Sequence, residues 1–133
     1  MKPRNSNRQA EDWLGSDQRD DLTACGETIA VVRKKALLRI LARREADRAN
    51  LHPTDADLQA TSEQFRRNFG LTDGDELDRW LDAVALSRDG YARAMRDFAV
   101  VRLIEELYAG EVDGLVADHI AISTARFRRP DSD

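Results

Sequence analysis

The chain has 133 residues, 41% hydrophobic and 35% charged, with one cysteine and a formal charge of −4. That length suits one domain with a single core, and the lone Cys25 excludes an internal disulfide and fits a reducing compartment. The acidic balance argues against a general nucleic-acid binder. No run approaches the ~20 apolar residues of a membrane helix, and MKPRNSNRQAEDW holds no apolar signal core, so the chain reads as cytoplasmic with no membrane partner.

Three prolines and seven glycines are few for a strand-rich chain, and Ala, Leu, Arg and Glu, abundant here, lose little rotamer freedom in helices. Residues 1–20 read as a polar, flexible arm, with one helical turn around Ala10 to Leu14 and Trp13 docking on the body or a partner. A first long helix is expected from Leu22 or Thr28 to Asn50. Ile29, Val32, Ala36 and Ile40 supply its buried stripe, and Leu37 and Leu41 widen it. Pro53 stops it. Thr54 then reads as an N-cap with Asp55 and Asp57 in the first turn, and Gly70 closes that helix. Asp73 and Glu76 form a capping-box pattern ahead of Leu77, Trp80, Leu81 and Val84. Ser87 caps a longer helix to about Ala109 that is apolar around most of its circumference and is therefore expected to be central. A last helix is expected from Val112 to about Ser123, with Val112, Leu115, Val116 and His119 facing inward. The alternation of Ile120 and Ile122 is also that of a short strand. The tail, 128–133, is expected to fray.

No catalytic motif stands out. Cys25 lacks a recognisable base, and the two histidines, His52 and His119, show no metal-ligand spacing. The cluster Asp73, Asp75, Glu76 and Asp78 does not fit a calcium loop, and capping explains most of it. No metal or cofactor site is therefore assigned. Two surface features remain. Five of the eight aromatics, Phe65, Phe69, Trp80, Tyr91 and Phe98, fall in one helical segment and with Leu81 are expected to wall a groove or fill a core. Lys35, Arg39 and Arg43, at i, i+4 and i+8, form a basic ridge inside a stretch with seven basic and two acidic residues between Arg33 and Arg48. Such a ridge is either a solvated face paired with acidic neighbours or a mark of an acidic partner.

From Leu37 to about Phe127 the text ALLRILARREA, LHPTDADLQATSEQFRRNFGL and DELDRWLDAVALSRDGYARAMRDFAVVRLIEELYAGEV resembles the helical peptide-binding domain of SurA- and trigger-factor-type chaperones. Where that family has a Gly-Leu-Ser turn, this chain has Ala85-Leu86-Ser87. It is also similar to the helical module of TfuA-type proteins that accompany YcaO enzymes in peptide modification. The resemblance implies an all-α, five- or six-helix orthogonal bundle over 21–127 with one long N-terminal helix, cradling apolar peptide segments without catalysis. The chaperones' parvulin isomerase domain does not fit in the remaining residues.

The expected function is thus a non-catalytic, chaperone-like peptide- or protein-binding module, with a precursor peptide of a natural-product pathway as one occupant. The alternatives are a cofactor-free enzyme using His119 with Glu105 and Glu106, and a helical subunit that forms a homodimer.

Overall fold

The computed structural model describes residues 14–127, which form six α-helices and a final 3-10 turn with no strand among them. The helices are α1 Ser16–Cys25, α2 Ile29–Arg48, α3 Asp55–Asn68, α4 Gly74–Ala83, α5 Arg88–Leu107 and α6 Ala109–Thr124. The all-α expectation holds, and the Ile120–Ile122 alternation belongs to a helix rather than a strand. The turn expected at Ala10 to Leu14, the docking of Trp13 and the tail 128–133 lie outside the described residues, apart from Leu14 itself.

Helix α1 overlaps residues 16–20, which the sequence reading placed in the arm. Gln18 accepts the Gly15 N–H at 2.9 Å and so closes its first turn, a contact that apolar periodicity does not signal. Gly26, at φ 76°, ends α1, and Thr28 starts α2 by accepting the Val31 N–H at 3.2 Å. Of the two starts considered for the long helix, the chain uses Thr28.

Three consecutive helices then end by one device. Asn50, Gly70 and Ala85 take the left-handed conformation at φ 53°, 68° and 57°. The residue after each is a leucine whose N–H reaches back to the last turn: Leu51 to Ala46 at 2.8 Å, Leu71 to Arg66 at 2.7 Å, Leu86 to Leu81 at 3.0 Å. This is the Schellman arrangement, with the following apolar residue folded onto the helix. Leu71 is buried, and Leu51 and Leu86 are half-buried. Each terminator is followed within a few residues by a new cap. Thr54 and Asp57 exchange hydrogen bonds at 3.0 and 2.8 Å, Glu76 accepts the Asp73 N–H at 2.9 Å, and Ser87 accepts the Gly90 N–H at 2.9 Å. Arg66 also donates to the Leu71 carbonyl at 2.9 Å, fixing the α3–α4 turn.

Helix α5 is central, as its apolar circumference predicts. It packs against α2 and α3 and buries Gly90, Met95, Asp97, Ala99 and Val100. The α2–α5 contact is made of small side chains, Ala42, Ala46 and Val100, with Leu51, Val101 and Ile104 around them. Small residues let the two axes approach closely, but they leave the larger leucines of α2 outside. Leu37, Leu38 and Leu41 are each about half exposed. Of the stripe expected to be buried on α2, Ile29 is buried and Val32 half-buried, but Ala36, Leu37, Ile40 and Leu41 lie at the surface, because α5 covers the Ala42 and Ala46 side of the helix.

A second correction concerns α6. Every residue from Ala109 to Ser123 is exposed. Val112, Leu115, Val116 and His119 share a face as expected, but that face is not an inner one: Leu115 is 66% exposed and Val116 45%. The helix leaves α5 through Tyr108 alone, whose N–H bonds to Ile104 and whose carbonyl accepts from Val112 at 2.9 Å. Gly110 lies inside α6 and does not end α5. With so short a joint, α6 runs on from α5 and does not fold back over the core.

Candidate functional site

The aromatic set expected to form a groove separates into two places. Phe65 of α3 is the hub of one. Its ring centroid lies 4.6 Å from Phe69, 5.5 Å from Trp80 and 5.7 Å from Tyr91, the last two edge-on. The tilted and edge-on packing satisfies the ring quadrupoles. The Tyr91 hydroxyl lies 2.8 Å from the Ser62 hydroxyl, which ties α5 to α3, and Leu81 is buried in α4. Phe65, Trp80, Tyr91 and Leu77 are half-buried, while Phe69, at the end of α3, is 57% exposed. The cluster thus joins three helices and leaves one ring at the surface. Phe98 belongs elsewhere: it faces α2, where the Arg39 guanidinium carbon stands 5.8 Å from its ring centroid. A cavity of about 670 Å³ lies between α3 and α5, lined by Leu58, Ser62, Tyr91, Met95 and Arg96 among others. Of the predicted groove residues, it draws on Tyr91.

The basic ridge is consumed largely within the fold. Asp97, buried in α5, accepts from Arg39 at 2.8 Å and stands 3.4 Å from Arg43. Lys35 pairs with Glu27. A buried carboxylate needs such partners, because its desolvation is otherwise uncompensated. Of the two readings of the ridge, the geometry favours a face paired with acidic neighbours.

The surface that sequence reasoning missed lies on the other flank of α2. A groove of about 730 Å³ runs between α2 and α5, with Leu38, Leu41 and Ala42 on one wall, Val101 and Ile104 on the other, and Val112 of α6 at its end. Its rim is charged, formed by Arg44, Glu45, Arg48 and Glu105, and Tyr108 closes the floor near α6. Here the Tyr108 hydroxyl and the Arg48 guanidinium both donate to the Glu45 carboxylate, with Arg48 Nε at 2.9 Å. Chiefly through the Arg48 hydrogen bond, and then that of Tyr108, the Glu45 carboxyl falls from its ordinary 4.5 to about 2. The same contacts push the Tyr108 phenol and the Arg48 guanidinium upward. The triad clips the end of α2 to the end of α5 at the groove mouth. Of the α2 wall, apolar periodicity marked Leu41 alone, since the pattern does not say which part of a wide stripe a neighbour will cover.

The apolar surface continues past the groove. Val112 borders both the groove and the exposed strip of Leu115, Val116, His119 and Ile120 along α6.

The acid–base candidates are not gathered. Glu105 borders the α2–α5 groove, Glu106 lines a small cleft against α3, and His119 stands on the α6 strip. Cys25 is exposed, its thiol 3.5 Å from the Leu22 carbonyl. Among the described residues no three His, Cys, Asp or Glu side chains group as metal ligands would, and no helix is long and apolar enough to cross a membrane. No protein-family model, curated protein or solved structure matches this chain.

Proposed function

We propose that this chain is a non-catalytic, chaperone-like binding module that holds an apolar peptide segment or amphipathic helix in the groove between α2 and α5. The observation that carries the reading is the groove itself: apolar walls, a volume within the range of ligand sites, and a rim of fixed charges. An amphipathic helix suits such a site, since its apolar residues at i, i+3, i+4 and i+7 would enter the groove while its polar edges meet the rim.

The resemblance to SurA-type peptide-binding helices supports the same class of function and, with it, a SurA-N-like bundle. A precursor peptide in a peptide-modification pathway is an occupant of the right chemistry. The enzymatic alternative loses ground because Glu105, Glu106 and His119 border three different surfaces.

Panning a displayed library of random peptides on Leu115→Asp, which alters the α6 strip and leaves the groove lining intact, and on the same chain carrying Leu41→Asp tests the reading. Enriched peptides should carry apolar residues at helical spacing and lose binding by tenfold or more when Leu41→Asp is added. No enrichment, or equal binding to both proteins, would refute it.

A further inference from the structure

We propose that the natural occupant of the groove is α6 of a second copy of this chain, so that two chains exchange α6 helices reciprocally. This rests on the groove reading above and names its partner.

Helix α6 is poorly equipped to stand alone. It is 16 residues long and contains Gly110 and Gly114. Glycine in a helix interior costs about 1 kcal/mol relative to alanine, and isolated helices of this length are marginal in water. Its residues from Ala109 to Ser123 are nonetheless all exposed. Contact with another surface would supply the missing stability.

The groove fits it in three respects. In length, Val112 to Ile122 spans about 16 Å at 1.5 Å per residue, and the α2 wall from Leu38 to Arg48 spans the same. In charge, α6 carries Glu111, Asp113 and Asp118 and no Lys or Arg, whereas α2 carries Arg33, Lys34 and Arg44 beyond the basic residues paired with Glu27, Asp97 and Glu45. Glu111 and Asp118, seven residues apart, flank one edge of the apolar strip and Asp113 the other. The exposed Arg33, Lys34 and Arg44 of α2 are available to meet them. In area, the exposed side chains of Leu37, Leu38 and Leu41 with those of the α6 strip amount to on the order of 800 Å² per copy, which is one side of a standard interface. Val112 borders both surfaces, so groove and strip form one continuous patch that two copies can cover by a two-fold exchange.

The test uses Leu38→Glu, which spoils the groove and leaves α6 intact, and Leu115→Asp, which spoils α6 and leaves the groove intact. Light scattering on a sizing column at micromolar concentration should give twice the 15.0 kDa chain mass for the wild type. Each variant alone should give the monomer mass with unchanged helical circular dichroism. Mixing the two should restore a dimer, because the Leu38→Glu chain still offers its α6 to the sound groove of the Leu115→Asp chain. Ser123→Asp is a second α6 variant should Leu115→Asp misfold. A monomeric wild type overturns the proposal. So does a Leu38→Glu chain that still dimerises alone, or a mixture that stays monomeric. The groove reading is judged apart from this: peptides that bind the monomeric Leu115→Asp chain but not Leu41→Asp keep it alive even if the exchange fails.

Discussion

Asp97 is nearly buried, and its charge is tolerable because Arg39 and Arg43 reach it from α2. The two sides of that contact are unequal. Arg39 and Arg43 keep 35% and 51% of their side chains exposed and can return to water, whereas Asp97 cannot. Replacing both arginines with alanine should therefore destabilise the fold by about 3 kcal/mol, and Asp97→Asn by clearly less, as read by urea denaturation. Equal effects would mean that the carboxylate is not the stranded group. From sequence, Lys35, Arg39 and Arg43 were legible as one face, but nothing beside Asp97, between Arg96 and Phe98, marks it as turning inward. Ala85 is a second residue whose role only the backbone reveals. At φ 57° its Cβ crowds the following carbonyl, which a glycine would avoid. Ala85→Gly should raise stability by about 1 kcal/mol, seen as a higher melting temperature. Glu45 gives a pH signature. Its depressed carboxyl pKa means that its contribution to stability is full above the ordinary value of 4.5 and is lost as pH falls through about 2. Removing one donor with Tyr108→Phe should raise the Glu45 pKa, and removing the larger one with Arg48→Met should raise it further, in carboxyl-detected NMR titrations.

At the scale of elements, starts and stops were the most legible part. Thr54 and Ser87 cap helices with their side chains as predicted, Asp73 occupies the expected cap position with its N–H bonded to Glu76, and Gly70 ends a helix where a left-handed residue is needed. Asn50 and Ala85 do the same work without the glycine that would have announced it. Which faces meet was harder to read, because α2 and α6 both carry apolar stripes wider than their neighbours cover. The aromatic cluster shows the consequence for energetics. Leu81 is 3% exposed and Phe69 57%, although both lie in text that reads as equally apolar. Leu81→Ala should cost about 2–5 kcal/mol through the cavity it leaves. Phe69→Ala should stay within about 1 kcal/mol, since much of the ring already meets water. Chemical denaturation of the two variants checks the contrast.

At the scale of the molecule, the core is thin. Alanines and valines form the α2–α5 contact, while leucines and isoleucines line the outside of α2 and α6. Helix α2 thus hides its alanines and displays Leu37, Leu38 and Leu41, the kind of apolar patch that marks sites of protein contact. Residue usage, apolar periodicity and helix caps together made the all-α class legible. The groove was not legible, because it arises where the narrow alanine contact leaves Leu38 and Leu41 uncovered opposite Ile104. The proposed placement of a second copy's α6 in that groove is read by paramagnetic broadening in a mixed sample. One copy would carry a spin label at Ala117→Cys in a Cys25→Ser background, and the other would be isotope-labelled and unmodified. Intermolecular broadening should appear at the amides of Leu38, Ala42, Val101 and Ile104. Broadening confined to α6, or none at all, would contradict that placement.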